Sequence, residues 1–87
     1  MRVEIKRTFE KDFARIPHSV RPKVTEFLLQ ISEASHIQEI YDIKKLVGFK
    51  GFYRARIGDY RIGFRYLDEI IIVDRVLHRK DIYRNYP

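Results

Sequence analysis

The sequence contains no cysteine, which excludes a disulfide-stapled scaffold, a thiolate zinc site and thiol catalysis. No apolar run approaches the roughly 20 residues a helix needs to cross a bilayer. There is no internal repeat, low-complexity tract or linker. The opening Met1-Arg-Val-Glu-Ile-Lys6 alternates charged and apolar residues and does not read as a signal peptide. The 3 histidines, His18, His36 and His78, are scattered through the chain and have no metal-ligand spacing. What these absences leave is a single domain over residues 1–87, expected in the cytoplasm, off the membrane, and working without a metal or other cofactor. A domain of this length hides only about 60–65% of its unfolded surface, so its core is modest.

Charge, by contrast, is plentiful. With 18 Lys+Arg against 12 Asp+Glu the chain carries +6, and 45% hydrophobic residues with 34% charged ones is the composition of a globular protein rather than a disordered one. The excess leans toward the second half. Residues 48–87 hold 9 basic and 5 acidic residues, and all 4 glycines. A basic surface attracts polyanions, and nucleic acid is the first partner to consider.

Val3 and Ile5 alternate with Arg2, Glu4 and Lys6, which predicts a short first strand. Thr8 reads as an N-cap, with Glu10 and Asp12 in the first turn of a helix whose apolar stripe is Phe9, Phe13 and Ile16. Pro17 stops that helix. Ser19 reads as the cap of a second helix, with Pro22 in its first turn and a stripe of Val20, Val24, Phe27 or Leu28, and Ile31. The two stripes predict a helix hairpin joined at Pro17-His18-Ser19. Residues 32–51 read as a loop with one helical turn near Glu39–Ile43. From Phe52 the period changes to two, and Phe52–Ile57, Tyr60–Leu67 and Ile70–His78 read as three strands. The last is apolar on both faces, as a central strand is. The fold class is α+β: an N-terminal strand, a helix hairpin, then a three-stranded antiparallel meander, with the helices on one face of the sheet. Arg79–Pro87 reads as a polar and aromatic tail.

Register carries the sharpest inference. Gly58-Asp59 suits a two-residue type II′ turn. That turn sets Ile57 opposite Tyr60, Arg56 opposite Arg61, Ala55 opposite Ile62 and Arg54 opposite Gly63. Tyr53, Ala55, Ile57, Tyr60, Ile62 and Phe64 then face the helices, while Arg54, Arg56 and Arg61 share the other face. Like charges directly opposite across strands destabilise a sheet, and Gly63 is expected to leave open room beside Arg54. Such a face suits an anion, because guanidinium groups match phosphate in bidentate geometry. The Leu67–Ile70 bend leaves two registers. One sets Gly63 opposite Asp74 and brings His78 to the arginine face, diagonal to Arg61, with Arg75 on the helix side. The other exposes Arg75 and Arg79 and buries Asp74. The first is preferred, since a bulge before Arg79 would relieve it.

RNA carries its own nucleophile, the 2′-hydroxyl. Cleaving it takes in-line alignment, stabilisation of the extra negative charge and assisted proton transfer, without metal or protein nucleophile. Arginine supplies the charge stabilisation only, since it stays protonated. His78 is the nearby side chain whose type titrates near neutral pH, and Tyr83 could stack on a base or place a hydroxyl. Tyr53, Tyr60 and Tyr66 are expected to face the core. That leaves few stacking groups outside and favours action with the help of a larger machine.

At these residues the sequence resembles the RelE branch of the RelE/ParE toxin superfamily. The matching stretches are Asp42-Ile-Lys-Lys-Leu-Val-Gly48, Tyr53-Arg-Ala-Arg-Ile-Gly-Asp-Tyr-Arg-Ile-Gly-Phe64, Asp68-Glu69 and Arg75-Val-Leu-His-Arg-Lys-Asp-Ile-Tyr83. The resemblance implies a ribosome-dependent mRNA endonuclease. Such a toxin cuts mRNA in the ribosomal A site and is silenced by a cognate antitoxin, here a small acidic protein with an amphipathic helix. By position it assigns phosphate contact to Arg61, a basic RNA-binding pair to Arg54 and Arg56, stabilising the transition state or protonating the leaving group to Arg79, and stacking on or orienting the substrate to Tyr83; Lys80 is expected to bind RNA beside them. His78 matches members with His-Arg-Lys in that segment. Where the family often has lysine, this chain has Arg54 and Arg56, which cannot readily act as bases. The proton transfer is therefore expected at His78 or Tyr83. Two alternatives stand beside this reading. The ParE branch poisons DNA gyrase and needs no nuclease residues, and a non-catalytic RNA- or antitoxin-binding module would show loss of Arg61, Arg79 or Tyr83.

Overall fold

A computed structural model describes all residues, 1–87. The chain runs β1 (Arg2–Ile5), α1 (Arg7–Phe13), α2 (Arg21–Glu33), a 3₁₀ turn (Ile37–Glu39), β2 (Ile43–Lys45), β3 (Phe52–Ile57), β4 (Tyr60–Leu67), β5 (Ile70–His78) and α3 (Arg79–Asn85). The five strands form one sheet in the order β1-β5-β4-β3-β2. β1 lies parallel to β5, and β2 to β5 form an antiparallel meander. The expected meander therefore has one more strand, because Ile43–Lys45 pairs with Tyr53–Ala55 where a loop was expected. No helix is long and apolar enough to cross a membrane.

The main core lies between the sheet and the first two helices. Phe9, Ile16, Val24, Phe27 and Ile31 meet Ala55, Ile62, Phe64, Ile71, Val73 and Val76. Val24, Phe27 and Ile31 are the buried stripe of α2, at the spacing a single helix face requires. Phe27 rather than Leu28 is the buried member, its ring 6.2 Å from that of Phe64. Tyr53, Tyr60 and Tyr66 pack against this core, as their alternation predicts.

The helix starts differ from expectation. The cap positions are Lys6 and Val20, neither with a side-chain cap bond. Pro22 does fall in the first turn of α2. Thr8 lies inside α1 and its hydroxyl donates to the Asp74 carbonyl at 2.7 Å. Asp12 sits near the end of α1, is buried, and accepts from Arg75 Nε at 2.6 Å, Arg75 Nη2 at 3.1 Å and the Val76 N–H at 3.1 Å. The helical turn after α2 falls at Ile37–Glu39, just ahead of its expected place, with Glu39 accepting from the Ser35 and His36 N–H groups.

Two features of the meander set the position of everything on the outer face. The Gly58-Asp59 turn gives the expected register, Arg56 opposite Arg61 and Arg54 opposite Gly63, with Gly58 at φ +59°. The last hairpin keeps one register from Leu67↔Ile70 to Phe64↔Val73, then shifts by one residue, so that Gly63 pairs with Arg75. The cause is hydrophobic. Val73 and Val76 are both fully buried although three residues apart, and a strand of period two can bury both only by bulging between them. Asp74 is the extra residue.

Candidate functional site

The outer face of the sheet divides into a packed part and an open part. Leu46, Ile82 and Tyr86 form a second, small core with Phe52 and Leu77, and α3 lies over it. This helix was not foreseen. Its signal was nonetheless present: His78 and Asp81 bracket a first turn, and Ile82 and Tyr86 are four apart. His78 Nδ1 accepts the Lys80 N–H at 3.1 Å, capping α3, and the Arg79 N–H donates to the Asp59 carbonyl at 2.8 Å. At the other end the Tyr86 hydroxyl donates to Asp74 at 2.7 Å. Asp74 in turn takes two bonds from Arg65, at 2.8 and 2.7 Å. Burial, followed by the bond to Asp74, pushes the Tyr86 phenol far above its usual range and keeps it a neutral donor.

Gly63 does not leave a gap beside Arg54. A Cβ there would stand 2.6 Å from the Tyr86 ring, so the absent side chain is the seat of Tyr86 and serves to dock α3.

The open part is a cavity of about 300 Å³ lined by Asp42, Ile43, Lys44, Arg54, Arg56, Arg61 and Tyr83. Three adjacent strands supply its cations. Lys44 faces Arg54 between β2 and β3, and Arg56 faces Arg61 between β3 and β4. Like-charged neighbours of this kind oppose folding. Arg54 has its guanidinium carbon 4.6 Å from the Tyr83 ring centre, and its buried Nε has no hydrogen-bond partner. Arg61 Nη1 donates to the Gly58 and Tyr60 carbonyls at 2.8 and 2.9 Å, which fixes its direction and leaves its charge unneutralised. Arg56 meets one carboxylate, Asp42, at 3.4 Å. Four cations stand against one acid, with an exposed aromatic ring as one wall, a charge and shape that suit a phosphate attached to a planar group.

Of the residues expected to form the site, Arg54, Arg56, Arg61 and Tyr83 line the cavity. Arg79 and Lys80 lie exposed on the first turn of α3, which docks on the Gly58-Asp59 turn through the Arg79 N–H. His78 is not on the arginine face. The bulge at Asp74 shifts it opposite Tyr60, where the two rings meet edge-on at 5.4 Å, on the side of the sheet that carries Val76. Lys44 and Asp42 are lining residues that sequence reasoning missed. The strand that holds Lys44 and follows Asp42 is three residues long, too short to show a period.

This strand order, with two helices on one face and a cation-lined hollow on the other, defines a RelE/ParE-type toxin. The family described as "ParE toxin of type II toxin-antitoxin system, parDE" matches residues 3–83, and the chain belongs to that family. Within it the chain is 36% identical to Toxin RelE3 of Methanocaldococcus jannaschii, over the full length of both. It is 34% identical to Putative toxin RelE1 of the same organism, over 95% of this chain and 94% of that one. Among solved structures it superposes on a chain of a RelB-RelE antitoxin-toxin complex from Methanococcus jannaschii with a TM-score of 0.84 and 34% identity, covering 97% of this chain and 99% of the other. An archaeal RelE-RelB complex from Pyrococcus horikoshii matches with a TM-score of 0.70 and 28% identity, over 90% and 93%.

Proposed function

We propose that this toxin is a ribosome-dependent mRNA endonuclease acting in the cytoplasm without a metal. Its outer cavity holds the scissile phosphate while the substrate's own 2′-hydroxyl attacks. The observation that carries this reading is the cavity itself, with Lys44, Arg54, Arg56 and Arg61 around one opening and Tyr83 across it. In the transition state the non-bridging phosphate oxygens gain negative charge. Guanidinium groups already fixed in place stabilise that charge without reorganising. Arg61, held by two carbonyls, is the best fixed of them. Arg56 and Lys44 flank it, and Arg79 and Lys80 extend the basic surface toward the adjoining nucleotides. Tyr83, resting on Arg54, offers its free face to a base. His78 serves this site through α3: as its cap, it holds the helix that presents Tyr83.

The RelB complexes of the similar structures support a cognate antitoxin as this toxin's partner, acidic where it meets the basic face. The mRNA in the ribosomal A site, and the ribosome that presents it, are the other partners of this reading. The family description names ParE, which gives DNA gyrase poisoning as the second reading. Primer extension on cellular mRNA after expression separates the two. Codon-spaced cuts are expected from the wild type, with a loss of roughly 100-fold or more in Arg61→Ala. A DNA-damage response without cuts would establish the gyrase reading instead, and equal cutting of ribosome-free mRNA would remove the ribosome from the mechanism.

A further inference from the structure

The cavity accounts for charge but leaves a proton without a destination. In-line attack breaks the 2′-O–H bond, and some group must take that proton. The groups facing the cavity are Lys44 on β2, Arg54 and Arg56 on β3, Arg61 on β4, Tyr83 on α3, and Asp42 just ahead of β2. A guanidinium cannot accept a proton and a phenol arrives protonated; a lysine becomes a base where burial strips its proton, and Lys44 is exposed. Only the Asp42 carboxylate arrives able to accept, and His78, the other group of suitable type, stands across the sheet.

Neither of the ordinary reasons for an aspartate fits this position fully. As an ion pair with Arg56 it is long, 3.4 Å, with side chains 61% and 63% exposed, a geometry that contributes little to stability. As part of an anion site it repels the ligand. The backbone gives a third reason, since Asp42 stands at φ +54° and its carbonyl accepts the Arg56 N–H at 2.9 Å. Asparagine would meet that need equally well. The carboxylate's single hydrogen bond engages Oδ1. Oδ2 has no hydrogen-bond partner, and Asp42 lines the cavity.

We propose that Asp42 is the general base of the reaction, an inference that rests on the nuclease reading above. Asp42 takes the proton from the 2′-hydroxyl as the O2′–P bond forms and the P–O5′ bond breaks. The departing O5′ takes a proton from water, Asp42 returns its own to solvent, and the products are a 2′,3′-cyclic phosphate and a 5′-hydroxyl with no net proton consumed.

The test is Asp42→Asn, which keeps the left-handed backbone and removes the basicity. On ribosome-programmed mRNA, kcat is expected to fall by about 10²–10⁴-fold with KM unchanged. Binding to ribosome-held mRNA carrying a 2′-deoxynucleotide at the cleavage position, which cannot be cut, is expected to stay as tight or to tighten. Asp42→Glu is expected to recover at least about tenfold over the asparagine variant. A raised KM with kcat intact would reduce Asp42 to a binding or structural residue and overturn the proposal. So would an Asp42→Asn variant that cuts within about threefold of the wild type while Arg61→Ala is inactive. If Arg61→Ala also cuts at full rate, the nuclease reading of the cavity falls and the base goes with it.

Discussion

Arg65 and Arg75 can be set against Arg54, Arg56 and Arg61. The first two each end in a carboxylate fork, Arg65 on Asp74 at 2.8 and 2.7 Å and Arg75 on Asp12 at 2.6 and 3.1 Å. In both, the hydrogen bond to the acid raises the guanidinium's already high pKa, against the opposing pull of burial. The other three share one sheet face and have among them a single long contact with an acid. The chain thus spends its well-placed acids on two arginines and withholds them from three. Paired guanidiniums bind elements of the fold together, α1 to β5 and β4 to the bulge. Unpaired ones set side by side are unfavourable for folding, and in the function proposed above they are kept for an anion that arrives from outside.

The largest test of that division is Asp12→Ala. It strands Arg75 and the Val76 N–H in a mostly buried setting, and urea unfolding is expected to show a loss of about 3 kcal/mol. A loss under about 1 kcal/mol, the range of exposed pairs, would place Arg75 with the outer-face arginines. Next is Gly63→Ala, which drives a methyl into the Tyr86 ring. Overpacking of this kind costs about 1–3 kcal/mol, and the near-ultraviolet tyrosine signal should change as α3 lifts. An unchanged spectrum would mean that the seat is looser than the geometry states. The smallest expected effect on stability is Arg56→Ala, within about 0.5 kcal/mol of the wild type because its one ion pair is exposed. Its affinity for RNA should nonetheless fall, and should lose some of its salt dependence. A destabilisation comparable to that of Asp12→Ala would erase the distinction.

Much of this site was legible in the sequence, for a local reason. A two-residue turn fixes the register of its hairpin without help from the rest of the molecule. Gly58-Asp59 therefore placed Arg54, Arg56 and Arg61 on one face before any fold was known. The failures share the opposite cause. Asp74 bulges because Val73 and Val76 are both claimed by a core formed by distant residues. Strict alternation carries that error on to His78, which lands on the other side of the sheet. Gly63 read as vacancy because the ring that fills it, Tyr86, comes from a helix taken for a tail. Thr8 and Asp12 read as residues of a helix start, yet both side chains bond β5, more than sixty positions along the chain.

Those two bonds also govern how the sheet ends. β1 stops at Ile5, beside Val73, so from Asp74 onward that margin of β5 would display a bare row of peptide groups, the template on which stray chains add and aggregates grow. Thr8 occupies the Asp74 carbonyl and Asp12 the Val76 amide. Two side chains of a short helix thus stand in for the missing stretch of strand, and at these two peptide groups the border is sealed against any newcomer by hydroxyl and carboxylate rather than by another backbone.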